Sequence, residues 1–460
     1  MFTVIGDWLM KKNSTTRSTT DSLGTEKLGK LLLQYSVPAI VATAAASLYN
    51  IIDRIFIGQG VGPMAISGLA LTFPLMNITA AFGAMVGVGA SAMVSIRLGQ
   101  NDRKGATLIL GNAVMLNIIL GIAVALITFV FLDPILFALG ASKETLPFAK
   151  EFMQVILMGN VFTHLYLGLN NIMRASGYPG KAMVTTLITV GINLALAPLF
   201  IFAFHWGIRG AALATVIAQA IGTVWSVLHF SKISSFVHFL PGYMKLKKEI
   251  IKDIISIGMS SFLMLLSASV VISILNLSLG MYGGDYAIGA FGIINSIGNL
   301  IVMVVIGFNQ GMQPIVGYNY GARQIPRVLR TFKLTVFAGT CVTILGFLLA
   351  EIFPKQIASA FTSDVDLIKL AVNGMRINMM MFPIIGFQVV ASSFFQSIGK
   401  AKVSIFLSLT RQVLLLIPAL IILPRFFGLN GVWIGGPVAD LTSSLLTLFV
   451  LKWQLKKLHL

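Results

Sequence analysis

Long apolar segments separated by short polar connections follow a polar amino-terminal stretch and continue to the end of the chain. A helical bilayer span needs roughly 20 mostly apolar residues, because unpaired backbone groups in hydrocarbon cost several kcal/mol each. Twelve segments meet this requirement. The polar connections place them at about 31–57, 65–96, 107–131, 148–172, 182–204, 210–231, 251–281, 286–316, 331–353, 369–397, 402–424 and 430–453. The pattern predicts an all-α integral membrane protein with twelve transmembrane helices.

Lysine and arginine collect in alternate connections. The amino-terminal stretch and the even-numbered connections are basic, for example at Arg97 and Arg103 and again at Arg323 and Arg330. The odd-numbered connections carry few basic residues, namely Lys143, Lys150, Arg209, Lys355 and Arg425. Because basic loops stay on the cytoplasmic side, both termini are predicted to be cytoplasmic, in a multi-pass protein of the bacterial cytoplasmic membrane.

Composition supports the membrane assignment and limits other functions. The chain has 460 residues, of which 57% are hydrophobic and 10% charged, and its mean hydropathy is +0.90. Its net charge of +18 follows the loops, so we interpret it as a topology signal and expect no nucleic-acid partner. The single cysteine, Cys341, excludes an intramolecular disulfide, and no metal-ligand spacing is present.

The two halves of the chain repeat. Sliding the sequence on itself by 222 residues pairs Gly58 with Gly280, Asn77 with Asn299, Gly89 with Gly311, Gly99 with Gly321 and Gly177 with Gly399. Six helices separate the repeats, so both start on the same side of the membrane and form two parallel six-helix lobes around a central cleft. The predicted divisions are a cytoplasmic tail at 1–30, lobes at 31–231 and 251–460, and a cytoplasmic linker at 232–250.

Several sequence strings resemble the multidrug and toxic compound extrusion (MATE) family, in its DinF-like and MepA-like branch. They are SVPAIVATAAASLYNIIDRIFIGQG at 36–60, GVGASAMVSIRLGQNDRKGA at 87–106, NNIMRASGYPGKA at 170–182, GFNQGMQPIVGYNYGAR and FFQSIGKAKVS. The major facilitator superfamily also has parallel six-helix halves, but its loop motif differs in spacing from RLGQNDRKGA. The lipid-linked oligosaccharide flippases share the architecture and remain an alternative.

Asp53 is the first candidate for cation coupling. A carboxylate near the bilayer centre costs about 2.5–3.5 kcal/mol on insertion scales and usually has a function. The alternative is that Asp53, near the outer end of its helix, only reaches interfacial water. The resemblance implies that Asp53 takes up a proton or cation, and that Pro38 in the same helix lets the helix bend. A static packing kink would explain Pro38 equally well.

Neutral side chains are predicted to complete the substrate pocket beside Asp53. The resemblance implies Asn170 and Asn193, and Tyr49 and Asn50 lie close to Asp53 in sequence. The chain departs from the family at NLALAP, where many members have an acid in place of Ala197, so a relay of two carboxylates is not expected.

The second half offers amides and isolated charges. Asn276, Asn295, Gln310 and Arg411 are candidate substrate contacts, although an amide in an apolar helix often makes only an interhelical hydrogen bond. Arg411 and Asp440 lie on neighbouring predicted helices and could instead form a buried structural pair. No cation site is expected in this half.

The sequence therefore predicts a secondary active exporter, expected to be a monomer, that exchanges a cation for amphipathic, often cationic, drug-like molecules. A proton is favoured over Na⁺ as the coupling ion, and no other cofactor is expected. A flippase for a lipid-linked oligosaccharide or a related amphipathic lipid is the alternative. An intramembrane enzyme is disfavoured, because no convergent catalytic residues and no nucleotide-binding loop are found.

Overall fold

The computed structural model describes residues 21–233, 235–240 and 242–458, which form helices and no strands. Two continuous helical segments are too long for single spans. Residues Lys248–Gly321 would measure about 110 Å at 1.5 Å per residue, far more than the roughly 30 Å hydrocarbon core. The backbone leaves helical geometry at Gly284, and at Gly428 in the other long segment, so each segment is two spans joined at a glycine.

With these divisions, the part of the chain that the structure describes has twelve spans, as predicted. In chain order, α1–α12 are Leu28–Gly60, Pro63–Gly99, Arg103–Val130, Leu146–Met158 with Asn160–Ala175, Pro179–Ala203, Gly207–Phe230, 248–283, 285–321, Ile325–Ile352, Val365–Met379 with Phe382–Ser397, 401–427 and 429–458. A short helix, Asp21–Thr25, precedes α1. Residues 1–20 of the predicted tail lie outside the described residues.

Backbone geometry repeats at the interval found in the sequence. The equivalent helices α4 and α10 are both broken, with bends of 57° and 52°. Left-handed backbone also recurs 221 or 222 residues apart, in the pairs Gly62 and Gly284, Asn101 and Arg323, Gly177 and Gly399, and Gly207 and Gly428. These turns end equivalent helices in each half, so the duplication holds at the level of single backbone angles.

Two helices cross from one lobe to the other. The first turns of α1, with Leu31 and Tyr35, are buried in a core with Val316 and Phe394 of the second lobe. Ile254 and Ile257, near the start of α7, are buried in a core of the first lobe. The amino-terminal parts of α1 and α7 therefore join the lobes at one end of the bundle.

That end carries Arg97, Arg103, Arg323 and Arg330, and we call it the basic end. Here the lobes approach through backbone. A Cβ on Gly99 of α2 would lie 1.9 Å from the Tyr318 carbonyl oxygen of α8. A Cβ on Gly321 would lie 2.0 Å from the Ile96 carbonyl oxygen. Glycine is needed at both positions, because any larger residue would push the lobes apart at this end.

The contacts between the lobes continue along the bundle from the basic end. A Cβ on Gly311 of α8 would lie 2.2 Å from Ser36 Oγ of α1, and Ser47 Oγ lies 3.2 Å from Met303 Sδ. The rings of Phe82 in α2 and Phe262 in α7 have centroids 4.7 Å apart. These contacts reach about the middle of α2, α7 and α8 and slightly past the middle of α1. Asp53 lies farther along α1, beyond this contact region.

Candidate functional site

Asp53 is buried in the first lobe, with 7% of its surface exposed. Its Oδ1 is buried and accepts no hydrogen bond from the described residues. The neighbouring Arg54 lies over the Phe73 ring, with Cζ 5.4 Å from the ring centroid. A buried carboxylate without a partner is costly unless a proton or cation neutralises it. The side chain thus has the properties of an ion-coupling group.

A polar cluster lies one helical turn away, toward the basic end. The Tyr49 hydroxyl of α1 lies 3.1 Å from Thr215 Oγ1 of α6. Asn193 of α5 donates from Nδ2 to Thr215 Oγ1 at 3.0 Å and to the Tyr49 hydroxyl at 3.4 Å. Its Oδ1 is buried without a donor among the described residues. Tyr49 and Asn193 therefore meet in one pocket with Thr215, which the sequence analysis did not single out.

Position 197 lies level with Asp53 in the first lobe and is occupied by alanine, so Asp53 has no neighbouring carboxylate there. Helices α1 and α5 run in the same direction, since an even number of spans separates their starts. Asp53 and Ala197 each lie one turn beyond the contact between Tyr49 and Asn193, so an acid at position 197 would stand level with Asp53. Ala197 is fully buried, and the first lobe has no second acid at that level.

Asn50 and Asn170 do not join this cluster. Asn50 is exposed, and its amide donates to the Ala46 carbonyl of its own helix at 2.9 Å. Asn170 of α4 donates to the Ala182 carbonyl at 2.9 Å and accepts from Arg174 at 3.1 Å. The amide nitrogen thus joins α4 to α5, and the amide oxygen holds Arg174 of the same helix.

The candidates in the second lobe are dispersed. Asn276 is exposed and Asn295 half-buried. Arg411 donates from Nε to Asp440 Oδ1 at 2.5 Å, in a π-helical stretch, Thr410–Leu416, of α11. Asp440 is buried, so this is the internal ion pair that the sequence suggested as the alternative to ligand contact.

Gln310 lies between the lobes. Its Oε1 accepts a hydrogen bond from Arg174 Nη1 across the interface at 2.6 Å. Gln313, one turn further along α8, donates to Ser91 Oγ of α2 at 3.0 Å. Arg174 could not be singled out from the sequence, because an arginine at the end of a span beside a basic loop resembles the residues that set membrane topology.

Pro38 is buried in α1 between Ser36 and Ile40, the two residues that face glycines of α8. The equivalent residue of α7, 222 positions later, is Ser260, whose hydroxyl lies 2.8 Å from Ser404 Oγ of α11. The two crossing helices therefore differ at this position. In α7, Ser260 bonds to a helix of its own lobe, whereas in α1 Pro38 has no backbone N–H to donate.

Comparisons with known proteins agree with this architecture. The MatE family model matches residues 38–199 and again residues 260–421, two stretches that start 222 residues apart. The chain belongs to the MATE family. It is therefore a multi-pass membrane transporter and not an enzyme.

The relatives of this MATE chain include curated and solved proteins. It is 27% identical over 421 residues to the multidrug export protein MepA of Staphylococcus haemolyticus, covering 92% of both chains. It is 28% identical over 403 residues to MepA of Staphylococcus aureus strain MSSA476, covering 88% of this chain and 89% of that one.

Two solved structures share the fold of the MATE chain at 24% identity, and each covers 97% of it. One is a multidrug resistance MATE family transporter in an outward-facing conformation, with a TM-score of 0.90 and 100% of that chain covered. The other is a MATE protein in the bent conformation, with a TM-score of 0.91 and 99% of that chain covered. Twelve spans in two repeats are thus the architecture of the family.

Proposed function

We propose that this MATE protein is a multidrug exporter that moves amphipathic, often cationic, compounds out of the cell in exchange for a cation, with a proton favoured over Na⁺. The observation that carries this proposal is Asp53, a buried carboxylate with an unpartnered oxygen beyond the region where the lobes touch. A membrane-embedded acid that forms no ion pair with the described residues is suited to carrying an exchangeable ion.

A proton is favoured because the pocket offers only one charge. The oxygens of Tyr49 and Thr215 already share hydrogen bonds with Asn193. Na⁺ would need several more oxygen ligands around the single carboxylate, whereas a proton needs only one oxygen lone pair. One charge moving across 100 mV supplies about 2.3 kcal/mol, enough for roughly fifty-fold accumulation.

Helix α1 provides a mechanical link between the ion and the lobes. It carries Asp53 in the first lobe, crosses at Pro38, and packs with its first turns in the core of the second lobe. Neutralisation of Asp53 would release α1 to bend at Pro38, where the helix lacks a hydrogen bond. A bend there would shift Ser36 and Ile40 against α8 and alter the contact between the lobes.

The basic end is proposed to face the cytoplasm, on the basis of its arginines and lysines. In that orientation the lobes are closed on the inner side, and the cleft faces outward. The names of the MepA relatives support drug-like substrates for this chain. The flippase alternative gains no support, because Arg376 lies beside Glu351 at 3.8 Å and Arg411 is paired with Asp440, so neither joins a basic cavity.

The test is exchange in liposomes that contain the purified chain, a fluorescent organic cation and an imposed proton or Na⁺ gradient. Asp53→Asn should abolish exchange driven by the proton gradient and leave folding intact. The matched control is Asp133→Asn, which removes a half-exposed carboxylate paired with Lys150 in the same lobe. Proton-driven exchange that survives Asp53→Asn would overturn the proposal. Exchange driven only by a Na⁺ gradient would identify Na⁺ as the coupling ion in place of the proton.

A further inference from the structure

Arg174 is a buried cation without a buried anion. It has 8% of its surface exposed, and its two hydrogen bonds go to neutral amide oxygens, Gln310 Oε1 at 2.6 Å and Asn170 Oδ1 at 3.1 Å. Within the described residues, no carboxylate lies within ion-pair distance of it. An uncompensated buried charge is costly and rarely kept without a function.

A partly buried arginine of another span shows the contrast. Arg411 in the second lobe has Asp440 at 2.5 Å, so its charge is cancelled. The residue equivalent to Arg174 in the second repeat, 222 positions later, is Gln396, which donates to the Ile257 carbonyl at 3.1 Å and Ser261 Oγ at 3.0 Å. An uncharged side chain therefore meets the same structural need in the second repeat, and packing alone does not require an arginine at position 174.

Arg174 stands where an ion would have to cross the closed contact. It bridges α4 of the first lobe to Gln310 of α8. On one side lie the close approaches of Gly99 and Gly321 at the basic end, and on the other side the contact between the lobes continues through Gly307 beside Ile40 to Met303 beside Ser47. The guanidinium therefore lies between the cleft and the loops of the basic end.

We propose that Arg174 is an electrostatic barrier that prevents the coupling cation from leaking between the lobes while this side is closed. An exchanger loses its driving force if protons or Na⁺ pass without substrate, and a fixed positive charge in a narrow pathway repels both ions. The amide partners hold the guanidinium in place without cancelling its charge. This inference rests on the proposed cation exchange.

The experiment measures proton leak in liposomes with the full chain, a pH-sensitive dye inside, an imposed inside-negative potential and no drug. Arg174→Gln removes the charge and keeps an amide that can bond to Gln310. Gln310→Glu keeps the contact, and as an ion pair strengthens it, but cancels the charge. Both variants should leak about tenfold faster than the unaltered chain, roughly the effect of one charge at about 10 Å in a medium of effective dielectric constant near 20.

Two variants serve as controls. Arg174→Lys retains the charge and should leak at the rate of the unaltered chain. Arg376→Gln removes a half-exposed arginine and should also have no effect. If Gln310→Glu is tight while Arg174→Gln leaks, Arg174 only holds the lobes together and the inference is wrong. It is also wrong if Arg174→Gln is tight, or if Arg174→Lys leaks as fast as Arg174→Gln.

This assay separates the inference from the proposed function. The leak is measured without drug, so it does not need productive exchange. Loss of exchange in Asp53→Asn tests the coupling role, and the leak rates of the Arg174 and Gln310 variants test the barrier. Monodisperse gel-filtration profiles for each variant would confirm that a rise in leak does not come from unfolded protein.

Discussion

The two carboxylates buried in the described spans have opposite surroundings. Asp440 is held by Arg411, whereas Asp53 has an oxygen with no partner among the described residues. The sequence shows both as acids in apolar helices, but only the three-dimensional pairing separates them. An acid that is already paired cannot take up another ion without leaving its partner uncompensated, whereas an acid without a partner remains free to exchange an ion.

We therefore expect Asp440→Asn to destabilise the protein strongly, because it leaves the partly buried Arg411 without its anion. Removing one member of a buried ion pair typically costs about 3–5 kcal/mol. The measurement is thermal unfolding in detergent, followed by tryptophan fluorescence. The double variant Arg411→Met with Asp440→Leu should recover most of the loss, and Asp53→Asn should show none. Equal melting temperatures for Asp440→Asn and Asp53→Asn would contradict this assignment.

Asn170 and Asn193, which lie in adjacent helices, also differ in their surroundings. Asn170 uses its amide head to join α4 with α5 and to position Arg174. Asn193 keeps an unpartnered oxygen beside the Tyr49 hydroxyl. We expect Asn170→Ala to lower stability by about 1–3 kcal/mol, the cost of leaving buried groups unsatisfied. Asn193→Ala should instead lower the exchange rate with a smaller change in melting temperature. If Asn170→Ala mainly slowed exchange and Asn193→Ala mainly lowered stability, the two assignments would be reversed.

At the scale of elements, α1 and α7 are equivalent crossing helices that differ at one level. Pro38 in α1 has no backbone donor, and Ser260 in α7 bonds to α11. This asymmetry matches the location of the ion-coupling carboxylate, because Asp53 and Pro38 are on the same helix. In the proposed exchange, conformational change driven by the ion would occur in α1, and α7 would be the fixed counterpart.

Replacing Pro38 with alanine should stabilise α1 in its present shape, since an interior proline costs a helix about 3 kcal/mol. We expect a slower maximal exchange rate with little change in substrate affinity, measured as kcat and as the dissociation constant of a fluorescent substrate. Pro74→Ala is the matched control, because Pro74 is also inside a transmembrane helix but lies in α2, away from the crossing. A similar loss of rate in both variants would remove the special role of Pro38.

At the scale of the whole molecule, much of the architecture follows from the sequence. A bilayer requires long apolar helices, and duplication leaves glycines and turns at a constant interval. Twelve spans and two repeats can therefore be predicted from the sequence. The crossing of α1 and α7 between the lobes cannot be predicted from the sequence, because their first turns would be equally apolar whichever lobe covered them. Asn50 and Asn193 also look alike in sequence, and only the direction of each side chain puts one outside the pocket and the other inside.

A substitution at the pseudo-twofold contact of the basic end should change the balance between the open and closed conformations. Gly99→Ala would place a methyl group 1.9 Å from the Tyr318 carbonyl oxygen, and this backbone atom cannot rotate away as a side chain would. The lobes must separate there, so the open state at this end gains population. A shift of about 1.4 kcal/mol would change the ratio of states tenfold.

Cysteine labelling would report that shift. Cys341 is exposed and is first replaced by serine, and the reporter is Ser95→Cys, a buried position of α2 that faces Gly317 of α8. A membrane-impermeant maleimide added at the basic end should react about tenfold faster in Gly99→Ala. Gly191→Ala is the control, since a Cβ there meets open space and a helical alanine stabilises by about 1 kcal/mol. Because the repeat places Gly321 in the equivalent contact, Gly321→Ala should accelerate labelling as Gly99→Ala does. Acceleration in only one of the two would show that the lobes do not share this contact equally.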